Sequence, residues 1–377
     1  MTPAAALPTA PWEALLVCLL VLVAPALTSP RARNLPLLAA RAAASVATLV
    51  SAGGAAAYLA AAVTALLHAV MAARATRTGA LMLTLAAAVS AAASLAIGRD
   101  DLTVAFWLSS AAIALRAGML PLHLGVASLC ERAPVVQVQQ AASTIALVFI
   151  HLRFVDHGEM AMAVAPTMVR IGAAATIAGA LMTLVQRDLR GFYRGTTVAH
   201  GGMLVAALGT APLGNFAAAL LVAVTIGLAL GGLGMMITAL EARVGDVGQA
   251  GPGGRVGAFP RLAAAFAVFG GAGVGLPGTA GFVADDLLLH TLWLNSPTSA
   301  VLVILSAAVL AVTTLMIFAR VFLGRTVPSP APDLYRRERV AAALLLTLLI
   351  GLGVAPGLLL GPADAFLTVA PATATTR

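Results

Sequence analysis

Residues 270–290 read GGAGVGLPGTAGFVADDLLLH. An apolar approach, AAAFAVF at 263–269, runs into glycines, a proline and then two adjacent acids, Asp285 and Asp286. In water this would be an ordinary Gly/Pro loop. The chain around it has 377 residues, 61% of them hydrophobic and 10% charged, so the stretch is expected at membrane depth. A helix interrupted there by Gly275, Pro277 and Gly278 is tolerated only when buried in protein or lining a wet cavity. Carboxylates beside such a break point to a functional site. The alternative is a loop at the membrane surface with two solvated aspartates.

The rest of the chain has the same character. A mean hydropathy of +1.01 and many long apolar segments predict an all-α polytopic membrane protein. Strands spanning a bilayer would need polar residues at alternate positions. Twelve spans are expected, at about 13–30, 34–52, 54–73, 80–98, 102–129, 135–153, 161–185, 195–211, 214–240, 260–295, 298–322 and 340–361, two of them broken. They form one transmembrane domain over 1–377, with N-terminal helices at 13–98, a core at 99–325, and a loop, last helix and short tail at 326–377. The second and third spans could instead be one long tilted helix, and loop charge decides between the two. With two spans there, fourteen loop arginines from Arg31 to Arg339 share one side, and the other receives only Arg99, Arg153 and Arg377. That bias fits a multi-pass protein of the cell's inner (cytoplasmic) membrane with both termini outside.

All 22 basic residues besides histidine are arginine. Arginine stays protonated, so it biases or pairs with a charge but does not hand on a proton. Reversible proton carriers must come from the six histidines and fourteen acids. The net charge of +8 reflects topology, not nucleic-acid binding, because the arginines are scattered through short loops. Cys18 and Cys130 have neither pairing nor metal-ligand spacing and read as structural thiols. No metal, cofactor or catalytic constellation is expected, and the loops are too short to build a soluble pocket.

Within AAIALRAGMLPLHLG (111–125), Arg116 lies deep in the segment, five residues before Pro121, with His123 just beyond. A buried arginine is expensive unless paired or facing water. Pro121 also frees a backbone carbonyl nearby, so the group reads as a polar station in a broken helix. The competing reading is an arginine snorkelling to the headgroups. Gln137, Gln139 and Gln140 give the next span a polar entry that suits an interface, and His151 and Arg153 close it at the opposite surface. Arg170 stands mid-span as a second buried charge. Asp188, Arg190 and Arg194 form a charged turn, after which Thr196, Thr197 and His200 enter a span where Gly201-Gly202 allows close helix approach.

Three stretches resemble a known family. These are LRAGMLPLHLG followed by ERAP, DLRGFYRGTTVAH, and GLPGTAGFVADDLLL, in that order and about 75 residues apart. They are similar to motifs of the antiporter-like proton-translocating membrane subunits of respiratory complex I. Multisubunit cation/proton antiporters and membrane-bound hydrogenases share that family. The resemblance covers about residues 100–325. It implies two inverted five-helix repeats, each with a broken helix, and a chain shortened at its N-terminus by two of the family's fourteen helices. It also implies a proton pathway through Arg116, His123, His200, Asp285 and Asp286. Arg116 stands where the family has its central lysine. The acid expected on the 54–73 helix is missing, leaving only Tyr58 and His68 there.

The implied function is a membrane subunit that translocates protons, or exchanges protons and cations. It would be coupled to partner-subunit chemistry such as NADH/quinone or hydrogenase redox. Other membrane subunits and the lipid bilayer are the expected partners, with a soluble partner subunit as a further one. The alternatives are a non-conducting scaffold, or the membrane subunit of an energy-coupled inorganic-carbon uptake system. The chain would not be catalytic alone.

Overall fold

Long Ala-, Leu- and Val-rich stretches with small hydrophilic interruptions leave the backbone one way to satisfy its own hydrogen bonds in lipid, and the described residues fold as helices throughout. The computed structural model describes residues 35–51, 54–154, 159–245, 253–325 and 328–361. The expected span at 13–30, much of the 243–258 loop and the tail after Pro362 lie outside them. Fifteen α-helices follow in order among the described residues, before a last helical stretch at 357–361. They are α1 Leu35–Val50, α2 Gly54–Ala72, α3 Arg77–Ile97, α4 Leu102–Ala117, α5 Leu124–Arg132, α6 Val135–Ala142, α7 Ile145–Phe154, α8 Glu159–Leu184, α9 Leu189–Leu208, α10 Phe216–Thr225, α11 Gly231–Val244, α12 Pro260–Ala272, α13 Ala280–Asn295, α14 Pro297–Phe322 and α15 Arg336–Val354. A π-turn, Ile226–Leu230, joins α10 to α11.

Five of these segments are long and apolar enough to cross a membrane by length and composition. The rod Phe216–Val244 is the innermost, with 89% of its apolar window buried, whereas Pro297–Phe322 is a peripheral helix at 33%. The expected spans at 102–129 and 135–153 are each interrupted. Gly118 takes a left-handed conformation (φ 72°) before Pro121 and ends α4. Ser143 and Thr144 separate α6 from α7.

The loop before α9 is shorter than the sequence suggests. The Asp188 carboxylate accepts from the Gly191 N–H at 2.6 Å and caps α9, so Arg190 and Arg194 are helical. Arg190 forks onto Glu241 at 2.7 and 2.8 Å and donates to the carbonyls of Cys130 and Ala133. Arg194 reaches Glu131, and Arg243 pairs with Glu338. These contacts bring the chain near residues 131–133, 188–194, 241–243 and 332–338 to one end of the bundle. Asn215 donates to Leu287 O and Thr291 Oγ1 elsewhere, between the start of α10 and the second half of α13.

α8 and α9 pack at small residues. A Cβ on Gly179 would strike the Ala199 backbone, and one on Gly202 would lie 2.5 Å from the Thr176 nitrogen. Gly179→Leu should therefore force α9 outward and lower the unfolding midpoint, at a cost of about 1–3 kcal/mol. Gly351→Ala, at a helical glycine with open space around it, should leave the midpoint unchanged or slightly raised.

Candidate functional site

Proline at 277 has no N–H, so the Gly273 carbonyl four residues earlier loses its helical donor. α12 ends at Ala272, Gly275 and Gly278 turn the chain with φ of 79° and 85°, and α13 starts at Ala280. The imidazole of His200, from the neighbouring α9, takes up the exposed carbonyl: Nε2 lies 2.7 Å from Gly273 O. Nδ1 lies 2.8 Å from Thr196 O, one turn back on its own helix. Both ring nitrogens thus face acceptors. A neutral imidazole has one N–H and satisfies one carbonyl, whereas the doubly protonated ring satisfies both.

A cavity of about 20 Å³ lies beside this ring, lined by His200, Asp285, Thr176 and Ser306 among others. That volume holds about one water molecule. The Asp285 carboxylate folds over the turn, where its Oδ2 would sit 2.7 Å from a Cβ placed on Gly275. The broken helix therefore supplies both a freed carbonyl to orient His200 and an acid across a water-sized gap. Such an arrangement can pass a proton.

Arg116 lines a second cavity of about 20 Å³, together with Ser45, Thr48, Thr64, His68 and Ser143. It lies on the last turn of α4, where the negative end of the helix dipole favours a cation. Its Nε donates to Ala141 O at 3.4 Å, a carbonyl in the last turn of α6. Pro121 leaves the Ala117 carbonyl without its helical donor, and Gly201 packs against it. α9 thus touches both broken helices at consecutive residues, His200 at one and Gly201 at the other. His68 repeats the local pattern of His200, its Nδ1 lying 2.7 Å from Thr64 O four residues back. Its Nε2 instead meets the Arg41 guanidinium at 2.7 Å. Arg41 has only donors, so Nε2 accepts and Nδ1 carries the proton.

The remaining expected residues are dispersed. Asp286 is exposed on α13 and does not line the His200 cavity, and His123 precedes α5 without a capping side-chain bond and lines neither cavity. Pro121 lies in the turn between α4 and α5. Arg170 is exposed on α8 and not a buried charge. His151 is fully buried within the protein, its Nδ1 2.7 Å from the Ser109 hydroxyl. Gln139 is fully buried as well: it donates to Ile226 O and accepts from Tyr193 Oη, which lies 3.0 Å from Leu230 O. The two side chains clamp the π-turn's loosened carbonyls. No periodic signal marks such a role, because one glutamine among three within four residues reads as a polar helix end. Among the described residues no three His, Cys, Asp or Glu side chains converge as a metal site would need.

The sequence profile of the NADH:quinone oxidoreductase/Mrp antiporter transmembrane family matches residues 10–311. The chain is 27% identical over 281 residues to "NADH-quinone oxidoreductase subunit M" of Rhodobacter capsulatus, covering 70% of this chain and 54% of that protein. To the subunit of the same name from Mycobacterium tuberculosis (strain CDC 1551 / Oshkosh) it is 29% identical over 197 residues, 51% of this chain and 35% of that one. The chain thus spans about half or less of the length of these curated relatives. Its fold superposes on a chain of respiratory complex I from Thermus thermophilus with TM-score 0.79 at 21% identity, over 94% of this chain and 83% of that one. For a chain of the Mrp complex from Dietzia sp. DQ12-45-1b the values are 0.76 and 16%, over 94% and 82%. A profile match over most of the length, with the same all-helical fold, shows that this chain belongs to the NADH:quinone oxidoreductase/Mrp antiporter transmembrane family.

Proposed function

We propose that the chain is a membrane subunit of a multisubunit complex that moves protons, or exchanges protons and cations, through the cavity shared by His200 and Asp285. The observation that carries this reading is the pairing at the α12–α13 break: an imidazole between two carbonyl acceptors, a carboxylate opposite, and room for one water. In this mechanism a proton arriving on Asp285 passes through the cavity water to His200. The ring's Nδ1–H stays anchored on Thr196 O while Nε2 exchanges its contact with Gly273 O. In this reading partner subunits supply the driving force. Relatives that function as NADH-quinone oxidoreductase subunits, and structural neighbours within multisubunit membrane complexes, support such partners.

Two finer features belong to the same reading. The helices α1, α2, α3, α4–α5, α6–α7 and then α8, α9, α10–α11, α12–α13, α14 form two five-membered series that share a break in the fourth member, the first series having another in its fifth. The Arg116 cavity is lined by the first, second, fourth and fifth members of its series, and so is the His200 cavity. Eleven crossings among the described residues, with 13–30 as a twelfth, would place the arginine-rich end in the cytoplasm and the chain in the inner membrane.

The second reading, a non-conducting scaffold, is favoured by one observation: the Arg116 cavity has no carboxylate among its described lining residues. Ion flux in proteoliposomes carrying the assembled complex separates the two. His200→Ala should lower flux about tenfold, because water can bridge part of the gap. Unchanged flux with normal assembly would leave the scaffold reading standing and remove the transport one.

A further inference from the structure

We propose that the cavity beside Arg116 binds a small monovalent inorganic anion of halide size. Arg116 is 5% exposed and reaches the cavity from the end of α4. The three ion pairs among the described residues all lie elsewhere, so none of the carboxylates described neutralises it. His68 adds no charge in this arrangement, because its lone pair accepts from Arg41.

Buried positive charge without an opposing charge is costly in a low-dielectric interior, and it is relieved by an ion that can enter. The lining chemistry selects the sign. Arg116 presents charged donors, and the Ser45 and Ser143 hydroxyls, from α1 and the α6–α7 interruption, turn to donate across the gap. A lining rich in donors and free of carboxylates suits an anion and repels a cation. The volume of about 20 Å³ suits one small particle, of about water to halide size. The two cavities then divide the work. One holds a titratable imidazole and carboxylate, and the other holds a fixed cation with an exchangeable counter-ion.

Chloride and bromide are the probes. The full-length chain, purified with its bound partners, is melted across a chloride series in which gluconate keeps the ionic strength constant. The unfolding midpoint should rise saturably with chloride and not with gluconate, which is too large for the site. Arg116→Gln should raise the half-saturating chloride concentration at least about tenfold. Ser143→Ala, which keeps the charge, should raise it by a smaller factor and serves if Arg116→Gln does not fold. Crystals grown in bromide should show an anomalous peak in contact with Arg116. A midpoint identical in chloride and gluconate, or a bromide-soaked crystal with no peak at Arg116, overturns the proposal. Neither readout depends on ion flux, so this inference and the transport reading fail separately.

Discussion

Asp285→Asn in the assembled complex should lower ion flux by about a hundredfold or more, while Asp286→Asn leaves it unchanged. The two acids are adjacent, yet consecutive helical residues point about 100° apart. Asp285 faces the cavity with His200, and Asp286 is exposed and does not line it. An asparagine keeps the size and polarity of the side chain and removes its ability to take a proton, so the loss isolates acid–base transfer. The size of the drop follows from what a positioned proton donor contributes to a transfer step. Equal effects at both positions would mean that local charge near the break matters and the cavity does not. Flux is read with a pH-sensitive dye trapped in proteoliposomes.

Arg243→Ala should destabilise the protein by about 3–5 kcal/mol, read as a fall in the unfolding midpoint. The Arg243 and Glu338 side chains are 3% and 5% exposed, so removing the guanidinium strands a buried carboxylate. Arg243 also donates to Pro332 O and Ala239 O and stacks 4.9 Å from the Tyr335 ring. Glu338 in turn accepts from the Tyr335 N–H and closes the start of α15. Loss of Arg194 should cost far less. Its partner Glu131 is 58% exposed, and a solvated pair contributes at most about 1 kcal/mol. Replacing Arg243 and Glu338 together with apolar residues of similar size should recover most of the lost stability, since no charge is then left unpaired.

The fold was legible in the sequence because lipid imposes one rule on every span. The breaks at Pro121, Gly275, Pro277 and Gly278 were legible because proline and glycine each carry a backbone property that marks an interruption; the left-handed turn at Gly118 was not singled out. His200 and Asp285 stood out as polar groups in apolar surroundings, but their meeting in one cavity depends on α9 crossing the α12–α13 turn. Nothing local to either stretch encodes that crossing. The same limit hid the contact between His68 and Arg41, which lie 27 residues apart, and the clamp of Gln139 and Tyr193 on the π-turn. Arg170 misled for a related reason. Apolar residues on both sides of a charge show depth in the membrane, not which way the side chain faces.

The most direct test of the proton-transfer claim is infrared difference spectroscopy of the assembled complex during a pH change, following the carboxylic acid C=O band. We predict a protonation band present in the native chain and in Asp286→Asn, absent in Asp285→Asn, and shifted in His200→Ala, whose ring shares the cavity. A band that persists unchanged in Asp285→Asn would show that this carboxylate does not exchange protons and would contradict the mechanism at its centre.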